Sequence, residues 1–157
     1  MGQVVSEQEL IERVRAHRAA GLSVAFANGC FDGLHVGHTR YLAGAAAEAD
    51  RLVVAVNDDE SVRALKGAGR PILTAADRAE MVAALEGVDE VVTFADHDVN
   101  RLLALLRPDV HCKGTDYTPD TVPERQTVLA YGGRIAIVGD PKDHSTQNLL
   151  ARIKSIS

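Results

Sequence analysis

Asn28-Gly29-Cys30-Phe31-Asp32-Gly33-Leu34-His35-Val36-Gly37-His38 carries the strongest chemical signal in this 157-residue chain. It follows the apolar run Val24 to Ala27 and precedes the alanine-rich stretch Tyr41 to Ala49, so the order reads strand, glycine-bearing turn, helix. The start of a helix offers unpaired backbone N–H groups and a partial positive charge, which suits a phosphate. His35 and His38, at i and i+3, fall on one face of the first turn. Gly37 between them lets an anion approach the backbone. The pattern predicts a nucleotide-phosphate site with its own cations, since nearby phosphate favours imidazolium over imidazole.

Lys66-Gly67-Ala68-Gly69-Arg70-Pro71 is a basic, glycine-bearing loop able to close over phosphates. Three further clusters of reactive residue types each follow an apolar, strand-like run: Asn57-Asp58, Lys113-Gly114-Thr115-Asp116, and Gly139 through Ser145-Thr146. In an open parallel sheet, ligands bind at the carboxyl ends of strands near the switch in strand order. Convergence of these clusters there is stronger evidence than any one of them.

The elements that must position them read as follows. Ser6-Glu7-Gln8-Glu9 is a capping box that opens an amphipathic helix with Leu10, Ile11 and Val14 inward. Buried strands are expected at 22–27, 52–56, 91–94, 110–113 and 135–138, the second apolar on both faces as in parallel sheets. Between them, Thr74 caps a helix with Met81, Val82 and Leu85 inward, and Val99, Leu102, Leu103 and Leu106 follow helical spacing up to Pro108. A last helix starts near Ser145 and carries Leu149, Leu150 and Ile153. Strands alternating with helices predict an α/β, Rossmann-like, doubly wound single domain over 1–157, with a five-stranded parallel sheet and helices on both faces. Its N-terminal helix spans 1–20 and its catalytic core 22–156.

Composition narrows the function. Seventeen basic against 22 acidic residues give a net charge of −5, without the basic stripe of a nucleic-acid binder. No apolar run approaches the roughly 20 residues of a membrane span. Two cysteines without metal spacing fit a reducing, cytoplasmic setting. The phosphate loops of P-loop hydrolases and dinucleotide dehydrogenases are absent from the sequence, as are H-E-x-x-H and G-x-S-x-G. Asp96-His97-Asp98 has metal-like composition, but Asp96 reads better as a helix cap.

His-x-Gly-His preceded by Gly-Cys-Phe-Asp-x-Leu resembles the signature of the cytidylyltransferase-like nucleotidyltransferases, and Ser145-Thr146 resembles their second nucleotide motif. Val54 to Asp58, Leu65-Lys66-Gly67, Arg70-Pro71, Asp77-Arg78, Ala84 to Asp89 and Lys113 to Tyr117 resemble the adenylyltransferase half of ADP-heptose synthase. The resemblance covers about residues 22–156. It implies an enzyme joining ATP to D-glycero-D-manno-heptose 1-phosphate, with His35, His38 and Lys66 catalytic. Asn28, Gly29, Cys30, Phe31, Gly37, His38, Lys113, Gly114, Asp116, Gly139, Ser145 and Thr146 would hold the nucleotide. Asp32, Asn57 and Arg78 would face the sugar phosphate, although Asp32 could instead orient the turn and Arg78 could pair with surface charges. Arg70 and His144 are further candidates for phosphate. Mg2+ would arrive bound through the ATP phosphates, with no dedicated protein metal site. A separate sugar kinase would supply the acceptor, and the family implies self-association as a homodimer. The alternatives are a cytidylyltransferase acting on glycerol 3-phosphate or another alcohol phosphate, and a non-catalytic nucleotide sensor or scaffold.

Overall fold

The computed structural model describes residues 1–141 and 145–157. In chain order the elements are β1 (Gln3–Val4), α1 (Glu7–Ala19), β2 (Val24–Gly29), α2 (Val36–Ala46), β3 (Arg51–Asn57), α3 (Asp59–Lys66) and α4 (Ala75–Ala83). They continue with β4 (Glu90–Phe94), α5 (Asn100–Leu106), β5 (Val110–Lys113), α6 (Arg125–Ala130), β6 (Arg134–Ile137) and α7 (Thr146–Ile156). Among the described residues one sheet of six strands runs in the order β1-β4-β3-β2-β5-β6, and every pair is parallel. From β2 the chain winds outward through β3 to β4, then returns to place β5 on the other side of β2. The switch in strand order therefore lies between β2 and β5, and the cleft opens at their carboxyl ends.

Six strands, not the five expected, make this sheet. The extra one is β1, whose Gln3 and Val4 pair with Glu90 and Val91 at the edge. Two residues carry no periodicity, so this strand exists only because β4 offers an open edge. Gly2 leads into it, buried and donating its N–H to the carbonyl of Ala83 at 2.8 Å.

Alternation along the buried strands splits the core in two. Ala25, Ala27, Val54 and Val56 pack with Leu42, Ala45 and Val82 on one face. Val24, Phe26, Val53 and Ala55 pack with Leu10, Val14, Leu102 and Leu103 on the other. The N-terminal helix α1 thus contributes to the same core as the sheet it precedes. Ser6 caps it as expected, accepting from the Glu9 N–H at 3.1 Å.

Two local expectations are corrected. On α4 the inward residues are Arg78, Ala79, Val82 and Ala83, while Met81 is 42% exposed, because the helix is rotated to bury Arg78. Asp96 does not cap α5. It pairs with Arg101 at 2.7 Å, and Asp98 instead accepts from the Asn100 N–H at 3.0 Å. On α7 no residue is buried, and Leu149 and Ile153 lie on its exposed surface. Among the described residues no helix is long and apolar enough to cross a membrane.

Candidate functional site

The turn after β2 is held in a conformation that few side chains adopt. Phe31 sits in the left-handed region at φ 51°, which costs an L-residue roughly 1–2 kcal/mol. Burial of its ring offsets that cost: it is 3% exposed and lies 5.4 Å from the ring of His38. Gly29 has to be small, since a Cβ there would stand 3.1 Å from the same ring. The chain then enters α2 with His35 as its N-cap.

The two histidines cap the helix with their own rings. His35 Nδ1 accepts from the Gly37 N–H at 3.1 Å, and His38 Nδ1 accepts from the His35 N–H at 3.3 Å. The rings stack with centroids 3.8 Å apart. A ring nitrogen that accepts carries no proton, so each neutral imidazole bears its hydrogen on Nε2. A second proton on Nδ1 would point at a backbone N–H, so the imidazolium expected beside a phosphate would give up the cap. The capping geometry is a reciprocal box built from His-x-x-His, where Ser-x-x-Glu is the familiar form.

Asp32 lines the cleft, yet its carboxylate is occupied. It accepts from Arg70 Nε at 2.7 Å, the Ile72 N–H at 2.8 Å and the Leu73 N–H at 3.0 Å. Burial by itself would raise its pKa, but those backbone N–H groups and the guanidinium outweigh it and hold the carboxyl below the usual range. Asp32 thus latches the 70–73 loop to the turn after β2. Because its native pKa is lowered, the folded state binds fewer protons than the unfolded one. Its stabilisation is complete above the ordinary aspartate value of about 3.9 and declines as pH falls through the lower native value. Asp32→Asn is expected to cost about 1.5–3 kcal/mol at pH 7, with the gap to wild type closing toward pH 3. Urea titrations across that range measure it, and a gap independent of pH would rule out the charged latch.

Arg78 does not reach the cleft. Fully buried, it donates to the carbonyls of Leu73, Cys30 and Asn57 at 2.9, 2.7 and 2.7 Å, and to Asp59 Oδ1 at 2.9 Å. It ties together the chain ends leaving β2, β3 and the 70–73 loop. Asn57, buried at the cleft, donates to Ser61 Oγ at 3.3 Å and lies 3.7 Å from the Cys30 thiol. Burial raises the Cys30 pKa, against the opposing pull of Lys66, Arg78 and Arg70, so the thiol stays protonated. Lys66 lines the cleft from the last turn of α3, one residue before the glycine loop on which it was expected.

The opposite wall comes from β5, β6 and α7. Lys113 stands over the Tyr117 ring at 4.7 Å, and Thr115 donates to the Asp140 carbonyl at 2.8 Å. Gly139 has φ 89°, and a Cβ there would meet Tyr41 Cα at 3.2 Å. Ser145 caps α7, accepting from the Asn148 N–H at 3.0 Å. Thr146 reaches back to the Gly33 carbonyl at 3.4 Å, joining this wall to the turn after β2. His144 lies outside the described residues.

These walls enclose an open cleft of about 610 Å³, within the size range of small-molecule sites. Among the described residues it gathers every expected site residue except Arg78. Tyr41, outside the expected site residues, also lines the cleft; its signal is its position three residues after His38 on the same helix. Leu65 and Tyr117, at the ends of motifs that carried the resemblance, and Asp140, inside the Gly139 to Thr146 cluster, line it too. Among the described residues no group of three or more His, Cys, Asp or Glu could hold a metal ion.

Known proteins place the chain in context. The family model described as cytidylyltransferase-like matches residues 26–152. The chain is 46% identical over 150 residues to "Bifunctional protein HldE" of Hydrogenovibrio crunogenus, covering 96% of this chain and 31% of that protein. It is 45% identical over 151 residues to the protein of the same name from Pseudomonas paraeruginosa, covering 96% of this chain and 32% of that one. The chain therefore spans about a third of the length of these relatives. A lipopolysaccharide core biosynthesis protein from Thermoplasma volcanium matches its fold with a TM-score of 0.67 and 26% identity, over 78% of this chain and all of that one. With most of its length inside the match, including both capping histidines, the chain belongs to the cytidylyltransferase-like family.

Proposed function

We propose that this chain is an adenylyltransferase, transferring AMP from ATP to D-glycero-D-manno-heptose 1-phosphate to give ADP-heptose and pyrophosphate. The observation that carries the reading is the pair of stacked histidines at the start of α2, each with Nδ1 fixed by a backbone N–H and its ring hydrogen therefore on Nε2.

The chemistry needs little more. A sugar phosphate has a second pKa of about 6, so its attacking oxygen is ionised near neutral pH without a general base. That oxygen attacks the α-phosphorus in line, a new P–O bond forms, and the bond to the β-phosphate breaks to release pyrophosphate. Catalysis is then alignment plus stabilisation of charge on the equatorial and leaving oxygens. The Nε2–H groups of His35 and His38 are donors suited to those oxygens. Neutral donors held by the helix need no ionisation to act. Lys66 and Lys113 bring positive charge from opposite walls of the cleft, in a chain whose net charge is −5. Ser145 and Thr146, at the start of α7, suit the outer phosphates. Asn57, on the Lys66 side, suits the acceptor.

Magnesium would enter with the triphosphate as part of the substrate. Asp32 is held by Arg70 and Asp140 is paired with Arg40 at 2.7 Å, so the phosphates would supply most ligands. A sugar kinase would supply the heptose 1-phosphate.

Pyrophosphate release tests the assignment, with ATP and CTP each crossed against heptose 1-phosphate, other sugar 1-phosphates and glycerol 3-phosphate. Release is expected with ATP and heptose 1-phosphate. Turnover confined to CTP would establish the cytidylyl reading. Binding of ATP without release from any pair would make the chain a sensor.

A further inference from the structure

His111 takes no part in the chemistry above, yet it is a fully buried histidine on β5 at the switch point of the sheet. It pairs in register with Phe26 of β2 and meets that ring edge-on at 5.8 Å. Burial, with a smaller push from Lys113, lowers its pKa to about 3, so the ring is neutral near pH 7. Its Nε2 lies 3.2 Å from Asn28 Oδ1, while its buried Nδ1 has no hydrogen-bond partner among the described residues.

A neutral imidazole carries one proton. Placed on Nδ1, that proton would be a buried donor with nothing to bind, and Nε2 would face the Asn28 carbonyl oxygen as a second acceptor. Placed on Nε2, it donates to that oxygen, and only an acceptor is left unpaired. The geometry selects the Nε2–H form. Asn28 lines the cleft at the carboxyl end of β2, and its side chain makes no other hydrogen bond among the described residues. With its oxygen taken, what it offers a ligand is the NH2 group. An unpaired buried nitrogen lowers stability, and an apolar residue of similar bulk would avoid that. The bond to Asn28 is what the histidine contributes in return.

We propose that His111 is a positioning residue that turns the Asn28 amide so that its NH2, not its carbonyl, faces the cleft, making position 28 a donor-only contact for an acceptor oxygen of the nucleotide. This rests on the nucleotide reading above and adds to it the polarity of one contact.

Two measurements on the full chain test it. Ring 15N shifts report the His111 tautomer without any ligand, and Nε2–H is expected; an Nδ1–H ring would overturn the proposal. Calorimetric titration with ATP, without acceptor, then compares wild type with His111→Leu and His111→Gln. His111→Leu is expected to melt no lower than wild type yet bind ATP about tenfold more weakly, the scale of one ordinary hydrogen bond. His111→Gln, which keeps a donor near Nε2, is expected to recover most of that loss. Unchanged ATP affinity in His111→Leu, or a loss matched by a fall in Tm, would overturn the positioning role. Failure of wild type to bind ATP would overturn the nucleotide reading and the donor role with it, while the tautomer separately decides the amide's orientation.

Discussion

His38→Ala is expected to lower kcat by about two to three orders of magnitude, the range for losing one donor to developing charge. The side chain does two jobs on separate atoms, and they can be pulled apart. Nδ1 accepts the His35 N–H and completes the cap, while Nε2 carries the proton that would meet phosphate. Alanine removes both, so it should also cost about 0.5–2 kcal/mol of stability, as cap deletions do. His38→Asn supplies an amide oxygen close to where Nδ1 sat and nothing where Nε2 sat. It should keep the melting temperature of wild type and lose kcat as severely as alanine. Steady-state kinetics with thermal melts of both variants measure the split. A folded His38→Asn protein with near wild-type turnover would remove the histidine from the reaction.

Arg78→Met is expected to destabilise the fold by about 3–5 kcal/mol, the cost of breaking a buried charge network. The guanidinium is 0% exposed and satisfies three loop carbonyls and one carboxylate. Methionine fills similar space but leaves the carbonyls of Cys30, Asn57 and Leu73 without their donor. Arg78→Lys should recover little, since a single ammonium cannot span groups on three segments. Urea unfolding of both variants at pH 7 is the measurement. A loss below about 1 kcal/mol would show that water replaces the donor, which a site this closed should not allow. A role in holding substrate, by contrast, would leave stability nearly untouched.

The same residue shows where reading a chain ends. Arg78 on a helix with Glu80 nearby reads as a solvated face, and its spacing is compatible with that. Only the rotation of α4 against the sheet, which buries Arg78 and exposes Met81, gives it carbonyls 21 and 48 positions away in the chain. Asp32 is a similar case. A carboxylate in a phosphate turn looks chemical, but its partners at 70, 72 and 73 arrive from a loop on another segment. The edge strand β1 escapes detection because two residues cannot display a period.

What the linear order determined by itself was the alternation of strands and helices, the caps at Ser6, Thr74 and Ser145, and the glycine-bearing turn into α2 with His35, Gly37 and His38. Each depends on neighbours within a few positions, where backbone geometry alone dictates which side chains meet. Tertiary structure alone decided the sixth strand, the imidazole tautomers' surroundings at Asn28 and His111, and the buried roles of Asp32 and Arg78. Apart from the bond of Arg78 to the nearby Leu73 carbonyl, those contacts join segments 19 to 87 residues apart, and no local period records which distant carbonyl or carboxylate a side chain will find once the sheet has closed around it.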